Sequence, residues 1–184
     1  MASASRSRAL FGAGLLALAA AAPGARANVF MTQAEALAWA FPGADRIESK
    51  SFVLSQAQQE KAEALAQSKL DSKLVTMHTG LRGGEVMGYA FIDVHTVRTQ
   101  PGAFLVVLGA DGRLEHLRAL AFHEPQEYLP SERWLAQFEG KRAGDPLRLD
   151  HEVHGIAGAT LSSQAVTGAV RRALALHAVL VGPR

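Results

Sequence analysis

The chain has 184 residues, of which 48% are hydrophobic, 20% charged and 7% aromatic. That balance fits a modest folded unit and excludes a disordered tail, a collagen-like rod and a polytopic membrane protein. Nineteen Lys and Arg against 17 Asp and Glu give a formal +2, but three of the arginines (Arg6, Arg8, Arg26) fall in the acid-free first 27 residues. The remainder is near neutral, which argues against nonspecific nucleic-acid binding, since that needs a basic surface. No cysteine is present, so disulfides, thiolate metal sites, a cysteine nucleophile and a lipid-modified N-terminal cysteine are excluded.

Residues 1–27 read as a signal peptide. Arg6 and Arg8 form a basic start, Ala9 to Ala22 an uncharged apolar stretch, and Ala25-Arg26-Ala27 supplies small residues at −3 and −1 of a cleavage site. The apolar run is short of the ~20 residues needed to span a bilayer. Ser7 separates the two arginines, so the general secretory route is expected, with cleavage after Ala27 and a periplasmic mature chain beginning at Asn28. Association with a membrane is left open.

In the mature chain, Thr32 to Glu35 has capping-box spacing and opens a helix that should stop before Pro42-Gly43. A second helix is predicted from Ser55 to about Lys69. The period then changes: Leu74 to His78, Glu85 to Arg98 and Ala103 to Leu108 are rich in β-formers and punctuated by Gly80, Gly83-Gly84 and Pro101-Gly102. Ala110-Asp111-Gly112 predicts a type I′ hairpin turn joining FLVVL to RLEHLRALAF. A loop from His123 to Pro130 follows, then a short helix from Ser131 to Glu139 and a long one from about Ser163 to Leu180. Helices flanking four strands describe an α+β unit with an antiparallel sheet, N-terminal helices and a long C-terminal helix.

The stretch that carries chemistry is His154 to Ser163, HGIAGATLSS, leading into the last helix. Gly155 and Gly158 let the backbone turn and approach a ligand closely. Ala159 keeps the surface low, and Thr160, Ser162 and Ser163 bring hydroxyls to a helix start whose unpaired amides attract anions. Ordinary helix capping by Ser and Thr explains the same residues. From composition alone both readings stand.

Gly158-Ala159-Thr160-Leu161-Ser162-Ser163 resembles the S-G-A-T-x-T/S signature of the FMN-binding domain family, found in flavin subunits of sodium-pumping NADH:quinone reductase and the Rnf complex. VRTQPGAFLVVLGADGRL and FHEPQEYLPSERWLAQFEGK resemble the sheet and flavin-side loop of small exported members, so the likeness runs from about Gly80 to Leu176. It implies an 80–184 core preceded by a 28–79 extension within a single domain. It further implies FMN joined through a phosphoester to Thr160, installed from FAD by a Mg²⁺-dependent flavin transferase. His154 and Ala157 stand where that transferase signature usually has Asp and Ser or Thr, which leaves noncovalent FMN as the alternative.

An isoalloxazine ring needs an apolar bed and a few polar groups at its edge. Glu124, Pro125, Tyr128 and Trp134 are the candidates, against the plainer readings of a solvated loop acid and core aromatics; Arg98-Thr99 is a further one. His151-Glu152-Val153-His154 is one residue short of H-E-x-x-H and precedes the helix, so no metal site is expected. No G-x-S-x-G elbow, P-loop or dinucleotide fingerprint occurs. With no acid–base constellation for turnover, an electron carrier is favoured over an enzyme. Its expected partners are the flavin transferase and a redox donor or acceptor, either a protein or a quinone-linked membrane complex. The alternatives are a noncovalent FMN redox sensor and a cofactor-free structural domain.

Overall fold

The structure, a computed structural model, describes residues 28–182. Strands β1 (Asn28–Val29), β2 (Arg46–Val53), β3 (Leu74–Arg82), β4 (Glu85–Thr96), β5 (Pro101–Gly109) and β6 (Leu114–Phe122) form one sheet in the order β1-β6-β5-β4-β3-β2. Every pairing is antiparallel. With the long C-terminal helix, this is the α+β architecture expected from the sequence. The signal peptide expected over residues 1–27 lies outside the described residues.

Two of the six strands go beyond the sequence expectation. β2 is RIESKSFV, mostly exposed, and held only as an edge strand against β3. An edge strand with one solvated side carries charge and little apolar alternation, so its period is hard to see. β1 is two residues long and exists only through its partner β6.

Each face of the sheet is covered because strand side chains alternate. Tyr89, Phe91, Phe104, Val106 and Leu108 point to the face packed by α2 (Gln56–Ala66) and α4 (Thr160–Leu180). Ala90, Leu105, Val107 and Leu120 point to the other, where α1 (Gln33–Ala40) lies. α1 begins with the expected capping box: Glu35 N–H donates to Thr32 Oγ1 at 3.3 Å and Thr32 N–H to Glu35 at 2.8 Å. It ends at Phe41, whose ring lies so close to Gly80 that a Cβ there would come within 2.4 Å of it. Gly80 therefore sits inside β3 as a packing glycine, not as the strand break its sequence suggests.

Other boundaries also differ. α2 has the Ser55–Gln58 capping box but ends at Ala66, earlier than Lys69, because Gln67 takes a left-handed conformation at φ 53°. The hairpin between β5 and β6 is present, but its turn is not type I′. Asp111 keeps a negative φ and accepts the Arg113 N–H at 3.0 Å, so only Gly112 (φ 79°) is left-handed, as in longer loops built on a type I turn. The helix expected over 131–139 is α3 (Glu132–Leu135) followed by a 3₁₀ turn, Ala136–Phe138. α4 begins at Thr160, three residues ahead of the expected start. No helix among the described residues is long and apolar enough to cross a membrane.

Candidate functional site

α4 is registered on the sheet by two contacts. Arg172 forms a bidentate pair with Asp93 at 2.7 and 2.8 Å, and the His177 ring lies 4.8 Å from that of Tyr89. The helix therefore runs antiparallel to β4. Thr160 precedes Arg172 by about 18 Å of helix, at ~1.5 Å per residue. At ~3.4 Å per strand residue, that is about five residues of β4 beyond Asp93. The start of α4 thus lies at the end of the sheet that carries the β4–β5 loop.

At that start the chain folds to leave amides open. Gly158 takes φ 76°, and a Cβ at this position would meet no atom within 4 Å, so the turn is open to solvent on that side. Ala159 is the N-cap, and no side chain caps the helix. Ala159 N–H is used by Ile156 O, and Ser163 N–H by Ala159 O. The amides of Thr160, Leu161 and Ser162 are the uncapped first turn, which carries the positive end of a 21-residue helix dipole. Thr160 is exposed as the first helical residue and is not itself a cap. The plain capping explanation of this threonine does not describe the fold.

The two serines behave differently from Thr160. Ser162 and Ser163 are fully buried, so their hydroxyls face the interior and not the open side of the turn. Ser163 Oγ accepts the Ile156 N–H at 3.0 Å and donates to Ala159 O, bracing the loop from beneath. Ser162 Oγ has no hydrogen-bond partner among the described residues. The expectation that both hydroxyls would reach a phosphate is corrected on this point: Ser162 packs into the interior, and Ser163, though on Thr160's side of the helix, lies beneath the 156–159 loop that its hydroxyl holds.

Gly155 approaches Asp150: a Cβ there would lie 2.8 Å from Asp150 Oδ1. Asp150 itself is left-handed at φ 62°. The loop is also pinned from the side by α3 and the 3₁₀ turn that follows it. Trp134 Nε1–H donates to His154 O at 2.7 Å, and His154 N–H donates to Gln137 Oε1 at 2.8 Å. Trp134, half-buried with its edge on Phe138, is thus a brace for the loop; no sequence signal marks Gln137. His154 keeps an exposed side chain while its backbone is held at both ends.

Glu124 is not a solvated loop acid. It is 6% exposed, and its Oε1 accepts N–H bonds from Arg98 (3.1 Å), Thr99 (2.6 Å) and Gln100 (2.9 Å). Those amides, Thr99 foremost, hold its carboxyl below the usual range. Its carboxylate is spent on shaping the β4–β5 loop. Pro125 is exposed and opens the 3₁₀ turn that carries Tyr128, and the Arg98 guanidinium covers one face of the Tyr128 ring at 4.5 Å. Of the expected ring contacts, Arg98 and Tyr128 stand together at the α4 end of the sheet. No hydrogen bond joins them to Thr160.

The His151–His154 fragment is engaged elsewhere: Glu152 forms a bidentate pair with Arg148, which holds its carboxyl down to about 2. A separate cleft of about 420 Å³ lies around Arg172, far along α4 from Thr160.

No curated protein gives a significant match to the chain. Residues 100–175, from the β4–β5 loop to the body of α4, match the family model described as FMN-binding domain. The Gly-Ala-Thr turn, the helix start and the Glu124 loop all fall inside that stretch, and the chain carries there a domain of the FMN-binding domain family.

Proposed function

We propose that this protein is an exported electron-transfer flavoprotein whose FMN is joined by a phosphoester to Thr160. The observation that carries the reading is an exposed threonine hydroxyl at the first position of a long helix whose first turn no side chain caps. The residues fit the group: the uncapped amides of the exposed Thr160 and Leu161 and a helix dipole suit a phosphate, and the dipole alone is worth ~0.3–1 kcal/mol. Such a contribution retains a cofactor only with further contacts or a covalent bond.

In the attachment step Thr160 Oγ forms the bond to the FMN-side phosphorus of FAD. The pyrophosphate P–O bond breaks, AMP leaves, and the hydroxyl proton passes to solvent. A flavin transferase with Mg²⁺ supplies FAD and the metal. FMN, once bound, supplies one-electron redox chemistry. The chain's own part is to orient: Ser163 and the Trp134–His154 bond fix the loop, Gly158 leaves its outer side open, and Arg98 offers a cation beside the Tyr128 ring. The near-neutral composition outside the leader and the leader itself support an extracytoplasmic carrier that hands electrons between partner proteins.

The test is the intact mass of the full chain, exported and co-expressed with a flavin transferase. A gain of one flavin mononucleotidyl group that disappears in Thr160→Ala is the expected result. An unmodified mass together with a yellow protein favours noncovalent FMN on the same turn. A colourless, unmodified protein overturns the reading. The departure at His154 gives a second arm: His154→Asp is expected to increase attachment if an acid at this position assists transfer.

A further inference from the structure

Independently of the flavin site, we propose that the cleft between β3 and β4 takes an extended, uncharged polypeptide segment of a partner protein as an inserted strand. The argument starts from register. β3 and β4 pair from Arg82↔Glu85 to His78↔Ala90, and there the ladder stops, although both strands continue. Continued, it would join Thr76 to Ile92 and Leu74 to Val94. Instead, residues 74–77 pair only with β2, and residues 91–96 only with β5. The sheet is split, and the 420 Å³ cleft fills the split, with Leu74, Thr76, Ile92 and Val94 among its walls.

The hydrogen-bonding direction of each wall can be counted off. Leu54 N–H donates to Lys73 O at 2.9 Å, so in β3 the odd-numbered residues bond β2 and the even-numbered ones face β4. The His78↔Ala90 pair carries the same alternation into β4, where Ile92 and Val94 face β3. Leu74 N–H is taken by Ser72 Oγ. That leaves Leu74 C=O and both main-chain groups of Thr76, Ile92 and Val94 aimed into the cleft without a strand partner. Such rows of paired donors and acceptors are what an added strand satisfies.

Charge and shape narrow the occupant. The Asp93–Arg172 pair at the α4 side of the cleft is mutually satisfied, its side chains only 16% and 10% exposed. Asp71, at the mouth, faces His95 at 3.4 Å. His78, 3% exposed, is kept neutral by burial, with Nδ1 bonded to Ser49 Oγ at 2.7 Å. The interior thus offers no unpaired ion to a charged ligand; besides peptide groups its lining carries the neutral Gln33 amide and the Ser72 and Thr76 hydroxyls, which already bond Leu74 N–H and Ser51 Oγ. Leu74 and Val94 are 60% and 64% exposed on the same face, as apolar neighbours for a strand between them. The unpaired walls are long enough for about three to four residues at ~3.3 Å each.

The test uses the full chain and a phage-displayed library of random twelve-residue peptides. Enriched peptides, added as synthetic peptides, are expected to slow amide exchange at Thr76, Ile92 and Val94 at least tenfold. Thr76→Pro, which removes a donor facing the cleft and none facing β2, should weaken them at least tenfold. Val94→Pro serves the same purpose should Thr76→Pro fold poorly. Failure to enrich any peptide, or protection confined to other amides, overturns the proposal.

Discussion

Thr160 and its two glycines show how little separates a helix cap from a ligand turn. With Ala159 as N-cap, the first-turn amides stay open, and the nearby Ser163 hydroxyl holds the loop instead of closing the helix. Gly158 is required by its φ of 76° alone, since a side chain there would meet empty space. Gly158→Ala is therefore expected to cost about 1–2 kcal/mol in stability from the left-handed backbone, with no steric contribution. Denaturant unfolding measures this, and a neutral result would mean the turn relaxes to negative φ. Ser162 offers the opposite case. Its buried hydroxyl lacks a partner among the described residues, so Ser162→Ala should leave stability unchanged or raise it by up to ~1 kcal/mol.

Among the elements, α3 and the 3₁₀ turn after it matter more than their seven residues suggest, because Trp134 and Gln137 hold both backbone groups of His154. Trp134→Phe keeps most of the packing on Phe138 and frees one carbonyl, an expected loss of about 0.5–1.5 kcal/mol. If the turn must be held for attachment, flavin incorporation should slow as well, read by mass against time. In β3, Gly80 allows Phe41 to lie on the strand. Gly80→Ala forces overpacking and is expected to cost about 1–3 kcal/mol, visible as a lower Tm. These elements also show what the sequence hides. The capping boxes of α1 and α2 are legible because capping is local chemistry between residues three apart. Gly80 is not, because a packing glycine and a turn glycine look alike without the residue that lies over them.

For the molecule as a whole, pH is expected to act in two stages. His78 has its imidazole value depressed by burial, so the folded state resists protonation; stability is full above the unfolded value of about 6.5 and declines as pH falls below it. Glu124 and Glu152 have depressed carboxyl values, so their contribution is present above about 4.5 and is lost as pH drops, for Glu152 on passing about 2. Urea titrations across pH should show both declines. His78→Asn should flatten the first and Glu124→Gln reduce the second; an unchanged pH profile in either variant refutes its assignment.

The class of the fold, the capped helices, the four apolar strands and the Gly-Ala-Thr turn were legible in the chain, because each rests on residues close to one another in it. Even the family likeness of residues 100–175 rests on local motifs. Packing between distant segments was needed to make 46–53 a strand, to bury Ser162 and Ser163, to tie the β4–β5 loop to Glu124, and to part β3 from β4 beyond His78. Those outcomes depend on partners distant in the chain, as for Glu124 with Gln100, 24 residues apart, and Ser49 with His78, 29 apart, where no periodicity in the chain records the meeting.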